Sequence, residues 1–278
     1  MATPIGNLGD IGLRALETLR GVEAVAAEDT RVTRQLLAHH GISKRLIPVH
    51  EHNEKRAVDG ILALLREGRS VALTCDAGTP AISDPGALLV AAARAAGFQV
   101  APVPGPNAAI AALSVCGFGT PHHLFYGFLP ARAVSRRREL SALASLPYTL
   151  VFYEAPHRVE ECVSDLRAVL GEARRIVIAR ELTKLFESVH ACTLGEAGAW
   201  LAGDPDRRKG EFVVIVEGAA ESKAETEMSG KRVLEVLLDE LPLRQAVEMA
   251  ARITGGRKNE LYRLALAMRK KALPSRSR

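Results

Sequence analysis

The sequence predicts an α/β protein built of two α/β domains and a small C-terminal helical segment. Three observations predict it. Short apolar runs alternate with helical patterns through the first third of the chain; a similar alternation resumes after a Gly/Pro/His-rich stretch at Gly117–His123; and beyond Gly230 only helical patterns remain. At 278 residues with 47% hydrophobic side chains, the chain can bury more than one core. The expected boundaries are 1–115, 116–220 and 221–278.

In the first block the runs read as strand Leu46–Val49, helix Glu54–Arg66, strand Val71–Thr74, helix Ala87–Ala96 and strand Gln99–Val103. This βαβαβ order implies a mainly parallel sheet. Pro104-Gly105-Pro106-Asn107 then opens an Ala-rich helix, Ala108–Leu113, with Asn107 as N-cap and free amides facing any ligand there. The second block reads as strand Thr149–Tyr153, helix Pro156–Leu170, strand Ile176–Ala179, helix Leu194–Leu201 and strand Glu211–Glu217. Ala219–Gly230, charged and poor in bulky apolar residues, reads as a linker. Helical patterns at Lys231–Leu241, Leu243–Ile253 and Lys258–Lys271 close the chain, the last two with the proportions of a helix-turn-helix.

Composition narrows the class. No apolar run approaches the roughly 20 residues of a membrane span, and Met1 leads straight into a motif instead of a signal segment, so a cytoplasmic protein with no membrane partner is expected. Cys75, Cys116, Cys162 and Cys192 are too scattered for a zinc site; reduced thiols and no metal are expected. The net charge of +5 is modest but uneven: from Arg252 onward nine basic residues face the single acidic Glu260. A phosphate backbone is the natural partner for such a tail, and a solvated basic surface is the plainer reading.

The most informative segment is Thr74-Cys75-Asp76-Ala77-Gly78-Thr79-Pro80-Ala81-Ile82-Ser83-Asp84-Pro85-Gly86, directly after a strand. Two carboxylates, two glycines and two prolines there build rigid turns with exposed backbone groups, at the strand end where α/β sheets bind small polar ligands. A tight connection that needs Pro and Gly for geometry alone is the other reading.

That string resembles the small-subunit ribosomal RNA 2'-O-methyltransferases of the tetrapyrrole-methylase (class III methyltransferase) fold. Thr3-Pro4-Ile5-Gly6-Asn7-Leu8-Gly9-Asp10, Ala27-Glu28-Asp29-Thr30-Arg31, His50-Glu51-His52-Asn53-Glu54, Gly127-Phe128-Leu129-Pro130, Tyr153-Glu154-Ala155-Pro156-His157-Arg158 and Glu181-Leu182-Thr183-Lys184 with Glu187 carry it further. The resemblance implies S-adenosyl-L-methionine held in a cleft between the two α/β domains, and methylation of a cytidine ribose at the decoding centre of small-subunit (16S) ribosomal RNA. It also implies a homodimer, with free RNA or the 30S particle as partner. By position, Pro4, Asp76, Ala77, Gly78, Thr79, Pro80, Ser83, Asp84, Pro104, Gly105 and Ala108 are expected to contact the cofactor, Asp76 foremost.

For the chemistry, Lys184, Glu181, Glu187, Glu154 and Asp29 are the candidates, as a cation stabilising developing alkoxide or as a base; an ion-paired cluster shaping the RNA groove is the alternative. Arg31, Arg158, Arg257 and Lys258 are expected at RNA phosphates, with Tyr153, Phe128 and His157 as stacking surfaces for a splayed base. Two features depart from the family pattern. Only Met1 and Ala2 precede the first motif, so the family's first strand is expected to be shortened or missing, and Cys75 stands where Ser is common. The competing functions are methylation of a tetrapyrrole macrocycle and a non-catalytic RNA-binding role; the acidic residues of the loop speak against the latter.

Overall fold

A computed structural model describes residues 1–50, 53–220 and 223–272. Glu51 and His52 of one motif, and Arg276 and Arg278 of the basic tail, lie outside the described residues. The chain forms two compact units, Met1–Gly218 and Ala219–Arg278.

The first unit opens with α1 (Leu13–Gly21), β1 (Ala24–Ala27), α2 (Thr30–His39), β2 (Arg45–Pro48), α3 (Glu54–Arg66), β3 (Val71–Thr74) and α4 (Ala87–Ala95). Its three strands form a wholly parallel sheet in the order β2-β1-β3, with Val25 beside Leu46 and Ala72. β1 is fully buried, Ala24 to Ala27 all at 0% exposure, because helices cover both faces. Leu19, Leu36 and Leu37 pack on one side; Ile61 and Leu89 pack on the other.

The expected strand Gln99–Val103 does not form. The segment that would pair with it is Met1–Thr3, where the Met1 amino group donates to the Leu73 carbonyl (2.7 Å) and the Ala2 N–H to that of Val103 (3.1 Å). One backbone bond at Val103 is too little ladder to make a strand of 99–103.

The chain continues through α5 (Ala108–Val115), β4 (His123–Phe128), α6 (Ala133–Leu143), β5 (Thr149–Glu154), α7 (Val159–Leu170), β6 (Arg175–Arg180), β7 (Ser188–Thr193), α8 (Leu194–Ala202) and β8 (Phe212–Val216). These five strands form a mixed sheet, β4-β5-β8-β6-β7, parallel only between β4 and β5. Apolar residues alternate across it. Leu150, Phe152, Ile176, Ile178 and Val214 meet α6, α7 and α8, whereas Val151, Val177, Val213 and Ile215 meet Ala109 and Ala112 of α5. Alanines let α5 lie close to the sheet, and Asn107 caps it, its Oδ1 accepting the Ile110 N–H at 3.1 Å.

The second unit is α9 (Lys223–Glu240), α10 (Leu243–Thr254) and α11 (Lys258–Ala272), packed around Leu234, Val247, Ala250, Leu261 and Ala265. The segment expected as a linker is thus helical from Lys223 onward. Gly255 ends α10 in the left-handed region (φ 68°), where a side chain would be strained.

Candidate active site

The loop from Cys75 to Gly86 leaves the carboxyl end of β3 and is clamped along its length. Thr3 and Gly78 exchange backbone hydrogen bonds (2.8 and 3.1 Å), the Thr3 hydroxyl donates to the Cys75 carbonyl (3.1 Å), and the Thr79 hydroxyl donates to that of Pro106 (3.2 Å). Gly78, Ala81, Ser83 and Gly86 all have positive φ. For Ala81 and Ser83 this conformation costs about 1–2 kcal/mol each, so the surrounding bonds must impose it. The far end is fixed by Glu54, whose buried Oε1 accepts the N–H groups of Gly86 (3.0 Å), Leu88 (2.9 Å) and Leu89 (3.2 Å) at the start of α4.

Facing this loop are the ends of strands from the mixed sheet. Together they enclose a cleft of about 270 Å³. Ile5, Ala77, Gly78, Thr79, Ser83 and Asp84 line one wall. Asn107 and Ala108 at the start of α5 and Phe128 at the end of β4 line another. The floor is Tyr153–Pro156, Ala179, Leu182 and Glu211–Val213. Tyr153 is anchored by its hydroxyl, which accepts the Ala109 N–H at 3.3 Å, and by edge contacts with the rings of Phe125 and Phe128.

Of the residues expected at a cofactor, Ala77, Gly78, Thr79, Ser83, Asp84 and Ala108 line this cleft. Pro4 and Asp76 instead line a smaller pocket of about 140 Å³, with Thr33 and Gln35 of α2. The Asp76 carboxylate accepts the Asp29 N–H (2.9 Å), and the Asp76 N–H donates to Glu28 (3.3 Å). Pro80, Pro104 and Gly105 line neither; Gly105 lies against Ala2, where a Cβ would approach the Ala2 methyl to 3.0 Å.

The catalytic candidates fall into two groups. Lys184 donates to Glu181 (2.9 Å) and Glu211 (3.0 Å), and the Glu181 carboxylate also accepts the Glu211 N–H (2.9 Å). Burial opposes the Lys184 charge, but the hydrogen bonds to Glu181 and Glu211 outweigh it and hold the ammonium above its ordinary pKa. Burial likewise works against the Glu181 carboxylate, and its bonds to Lys184 and Glu211 hold it below its usual range. This ion cluster leans on the first motif: Asn7 N–H donates to the Thr183 hydroxyl (3.0 Å), and a Cβ on Gly6 would lie 2.4 Å from Lys184 Cγ. Glu187 accepts the Thr183 N–H (2.5 Å), closing a turn in which Glu181 and Thr183 have positive φ.

Glu154 stands apart, its side chain at 0% exposure, bound to Arg158 (3.1 Å) and to the Ala155 N–H (2.8 Å). Asp29 caps α2 by accepting the Arg31 N–H (2.8 Å). Its hydrogen bonds with Arg31 hold its pKa down to about 2.

The basic candidates also differ. Arg31 is exposed, with its guanidinium against Asp29. Arg158 points inward, donating to the Leu129 carbonyl (2.7 Å) as well as to Glu154. In the second unit Arg257 is exposed and Lys258 pairs with Glu248 (2.8 Å). Glu54 and Glu211 were not singled out from sequence. Glu54 had a signal in its place at the first position of a helix inside a matched motif; Glu211 had none, because it reads as the start of an apolar strand.

Electrostatically the loop is unusual. Burial, then the charge of Glu28, pushes Asp84 up to about 6 despite a hydrogen bond from Cys75. Burial, reinforced by Asp84 and Glu28, pushes the Cys75 thiol up to about 12, so this cysteine is an inert neutral group. Burial also raises Glu28 and Asp76.

Comparison with known proteins follows the same division. Residues 2–198 match the family Tetrapyrrole (Corrin/Porphyrin) Methylases, and residues 224–269 match the RsmI C-terminal HTH domain. The ribosomal RNA small subunit methyltransferase I of Xylella fastidiosa is 52% identical over 262 residues, covering 94% of this chain and 96% of that protein. The protein of the same name from Escherichia coli O157:H7 is 50% identical over 264 residues, covering 95% and 92%. Among solved structures, uroporphyrin-III C-methyl transferase from Thermus thermophilus, complexed with S-adenyl homocysteine, superposes with a TM-score of 0.54 at 16% identity, over 77% of this chain and 94% of that one.

Proposed function

Because the chain belongs to the ribosomal RNA small subunit methyltransferase I family and is a methyltransferase of the tetrapyrrole-methylase fold, we propose that it uses S-adenosyl-L-methionine to methylate the 2'-oxygen of a cytidine ribose in small-subunit ribosomal RNA, at the decoding centre. The observation that carries the reading is the cleft between the two sheets, framed by the loop and strand-end motifs of that family.

The residues present fit the cofactor. Gly78, with φ 81°, and the small Ala77 and Ala108 let a ligand approach the backbone closely, while Thr79, Ser83 and Asn107 supply polar groups along an otherwise apolar wall. When bound, S-adenosyl-L-methionine supplies an electrophilic methyl group on a positively charged sulfur. Tyr153 and Phe128 give the cleft aromatic walls. Lys184, kept protonated by Glu181 and Glu211, stabilises negative charge developing on the ribose oxygen. Glu187 holds the turn that carries Lys184, and Glu154 fixes Arg158, which ties β5 to Leu129 beside the Phe128 wall.

Arg31 in the first unit, and Arg257 with Lys258 at the start of α11, are the proposed phosphate contacts. They position the RNA without reading its sequence. The acting species is proposed to be a cytoplasmic homodimer; among the described residues no helix is long and apolar enough to cross a membrane.

The test is transfer of labelled methyl from S-adenosyl-L-methionine to small ribosomal subunits lacking the modification, with free ribosomal RNA and a uroporphyrinogen as parallel acceptors. Label in the RNA of either form supports the reading. Label only in the macrocycle replaces it with tetrapyrrole methylation.

A further inference from the structure

The cavity of about 140 Å³ beside α2 backs onto the wall of the larger cleft. Pro4 and Asp76 line it, while the next residues, Ile5 and Ala77, line the cleft. Thr3 and Gly78 pair there as an antiparallel bridge, and extended chain sends successive side chains to opposite sides, so one thin partition serves both cavities. Gly6 continues the partition to Lys184: an added Cβ would lie 2.4 Å from Lys184 Cγ. Pro4 and Leu8, both lining the small cavity, stand two residues to either side of Gly6, a span of at most about 7 Å. A ring in the small cavity therefore keeps an attached ribose within one nucleoside's reach of Lys184.

The chemistry of this cavity is selective. Pro4, Leu8, Val32 and Leu36 give it apolar sides, and three polar groups open on it. One Asp76 carboxylate oxygen accepts the Asp29 N–H (2.9 Å), which orients the side chain and leaves the other oxygen without a hydrogen-bond partner among the described residues. Thr33 is 2% exposed, and its hydroxyl, which opens on the cavity, has no hydrogen-bond partner among the described residues. The exposed Gln35 amide lies at the rim. An acceptor-only carboxylate beside a hydroxyl and an amide matches the pairing edge of cytosine, where an amino donor adjoins a ring-nitrogen acceptor and a carbonyl acceptor. Uracil carries a carbonyl in place of that amino group, and its oxygen would face the carboxylate unpaired.

Building on the proposed cytidine methylation, we infer that this cavity is the subsite for the target base: the Asp76 carboxylate accepts the exocyclic amino group of cytosine, the Thr33 hydroxyl donates to an acceptor on the same edge, and the apolar sides cover the ring. The base is read on its pairing edge, so it leaves its stack before its ribose is methylated. Asp76 and Thr33 set which nucleoside reacts; no bond is made or broken at either.

The experiment uses the full chain and small subunits carrying cytidine or uridine at the methylated position, with kcat/KM for each, calorimetric binding of S-adenosylhomocysteine and a Tm. Wild type should prefer cytidine by about a hundredfold. Asp76→Asn, whose amide can turn to offer either an acceptor or a donor, should cut that preference to about tenfold or less. Thr33→Val, which trades the unpaired hydroxyl for a methyl group, should keep or raise the Tm and still lower kcat/KM on cytidine by about tenfold, because the hydroxyl gains a partner only when the base is bound. Both variants should bind S-adenosylhomocysteine within about threefold of wild type, since neither residue lines the cleft. The inference is overturned if wild type methylates both nucleosides equally fast, if Asp76→Asn keeps the preference or Thr33→Val keeps the rate, or if either variant loses activity only in proportion to lost S-adenosylhomocysteine binding. Failure of wild type to label either subunit would instead overturn the function on which the inference rests.

Discussion

Glu54 carries more of the site than its place in a helix suggests, and replacing it tests how the loop is held. Its Oε1 accepts three backbone N–H groups, of which those of Gly86 and Leu89 are buried. Glu54→Gln keeps an acceptor and loses the charge facing the N-terminus of α4, a cost of about 1–2 kcal/mol. Glu54→Ala leaves two buried donors without an acceptor at about 1–3 kcal/mol each, and the partly buried Leu88 N–H is lost besides, so about 4 kcal/mol is expected. For a unit of this size each kcal/mol moves the Tm by roughly 2–4 °C, which predicts a drop of about 3–6 °C for Gln and more than about 8 °C for Ala. Differential scanning calorimetry reads both. Because Ser83 and Asp84 sit immediately before the anchor, S-adenosylhomocysteine binding should weaken roughly tenfold in Glu54→Ala even well below its Tm. Equal Tm values for wild type and Glu54→Ala would refute the claim that this carboxylate holds the loop.

Other perturbations separate structure from chemistry. Arg158→Ala leaves the buried Glu154 carboxylate unpaired and should cost about 3–5 kcal/mol in urea denaturation, far more than loss of an exposed phosphate contact would. Gly6→Ala places a methyl 2.8 Å from the Thr183 hydroxyl and 3.1 Å from the Leu182 carbonyl, so the Lys184 turn must shift. Its turnover should fall at least about tenfold, with subunit affinity in a filter-binding assay unchanged. Asp84 also predicts a pH effect on stability. Its folded pKa of about 6 lies above the ordinary 3.8, so the stability it contributes is full below about pH 4 and is lost as pH rises through 6. Raising the carboxyl from 3.8 to about 6 corresponds to about 3 kcal/mol, halved to about 1.5 for partial exposure. Chemical denaturation at pH 4 and 7.5 should show Asp84→Asn gaining about that much on wild type between the two; a constant difference would contradict it.

The chain's α/β character, the functional loop and the Asn107 cap are legible in the sequence because each rests on local chemistry: period-2 or 3.6 patterning, Pro and Gly at turns, and a polar cap before an apolar run. Elements set by their neighbours are not. β1, Ala-Val-Ala-Ala, has little strand propensity of its own and is a strand because β2 and β3 flank it. Gln99–Val103 has the propensity and lacks the partner. β7 lies at a sheet edge, and its Ser-Val-His-Ala-Cys-Thr sequence carries no apolar face that would announce it. Within the site, residue type points to Asp76 and Asp84 alike, and the left-handed turns at Gly78, Ala81 and Ser83 bring Asp84 to the cleft of about 270 Å³ and leave Asp76 at the smaller pocket beside α2. Which side of a loop a carboxylate faces depends on those turns, and the pairing of Glu154 with Arg158 and of Glu211 with Lys184 depends on packing between strands distant in sequence.

The most direct test is the identity of the methylated product. Small subunits labelled by the wild-type protein should yield, after complete nuclease and phosphatase digestion, a labelled nucleoside that co-migrates with 2'-O-methylcytidine and carries its methyl on the sugar in mass-spectrometric fragmentation. A label on a nucleobase, or on the ribose of another nucleoside, would contradict the account of cytidine 2'-oxygen methylation.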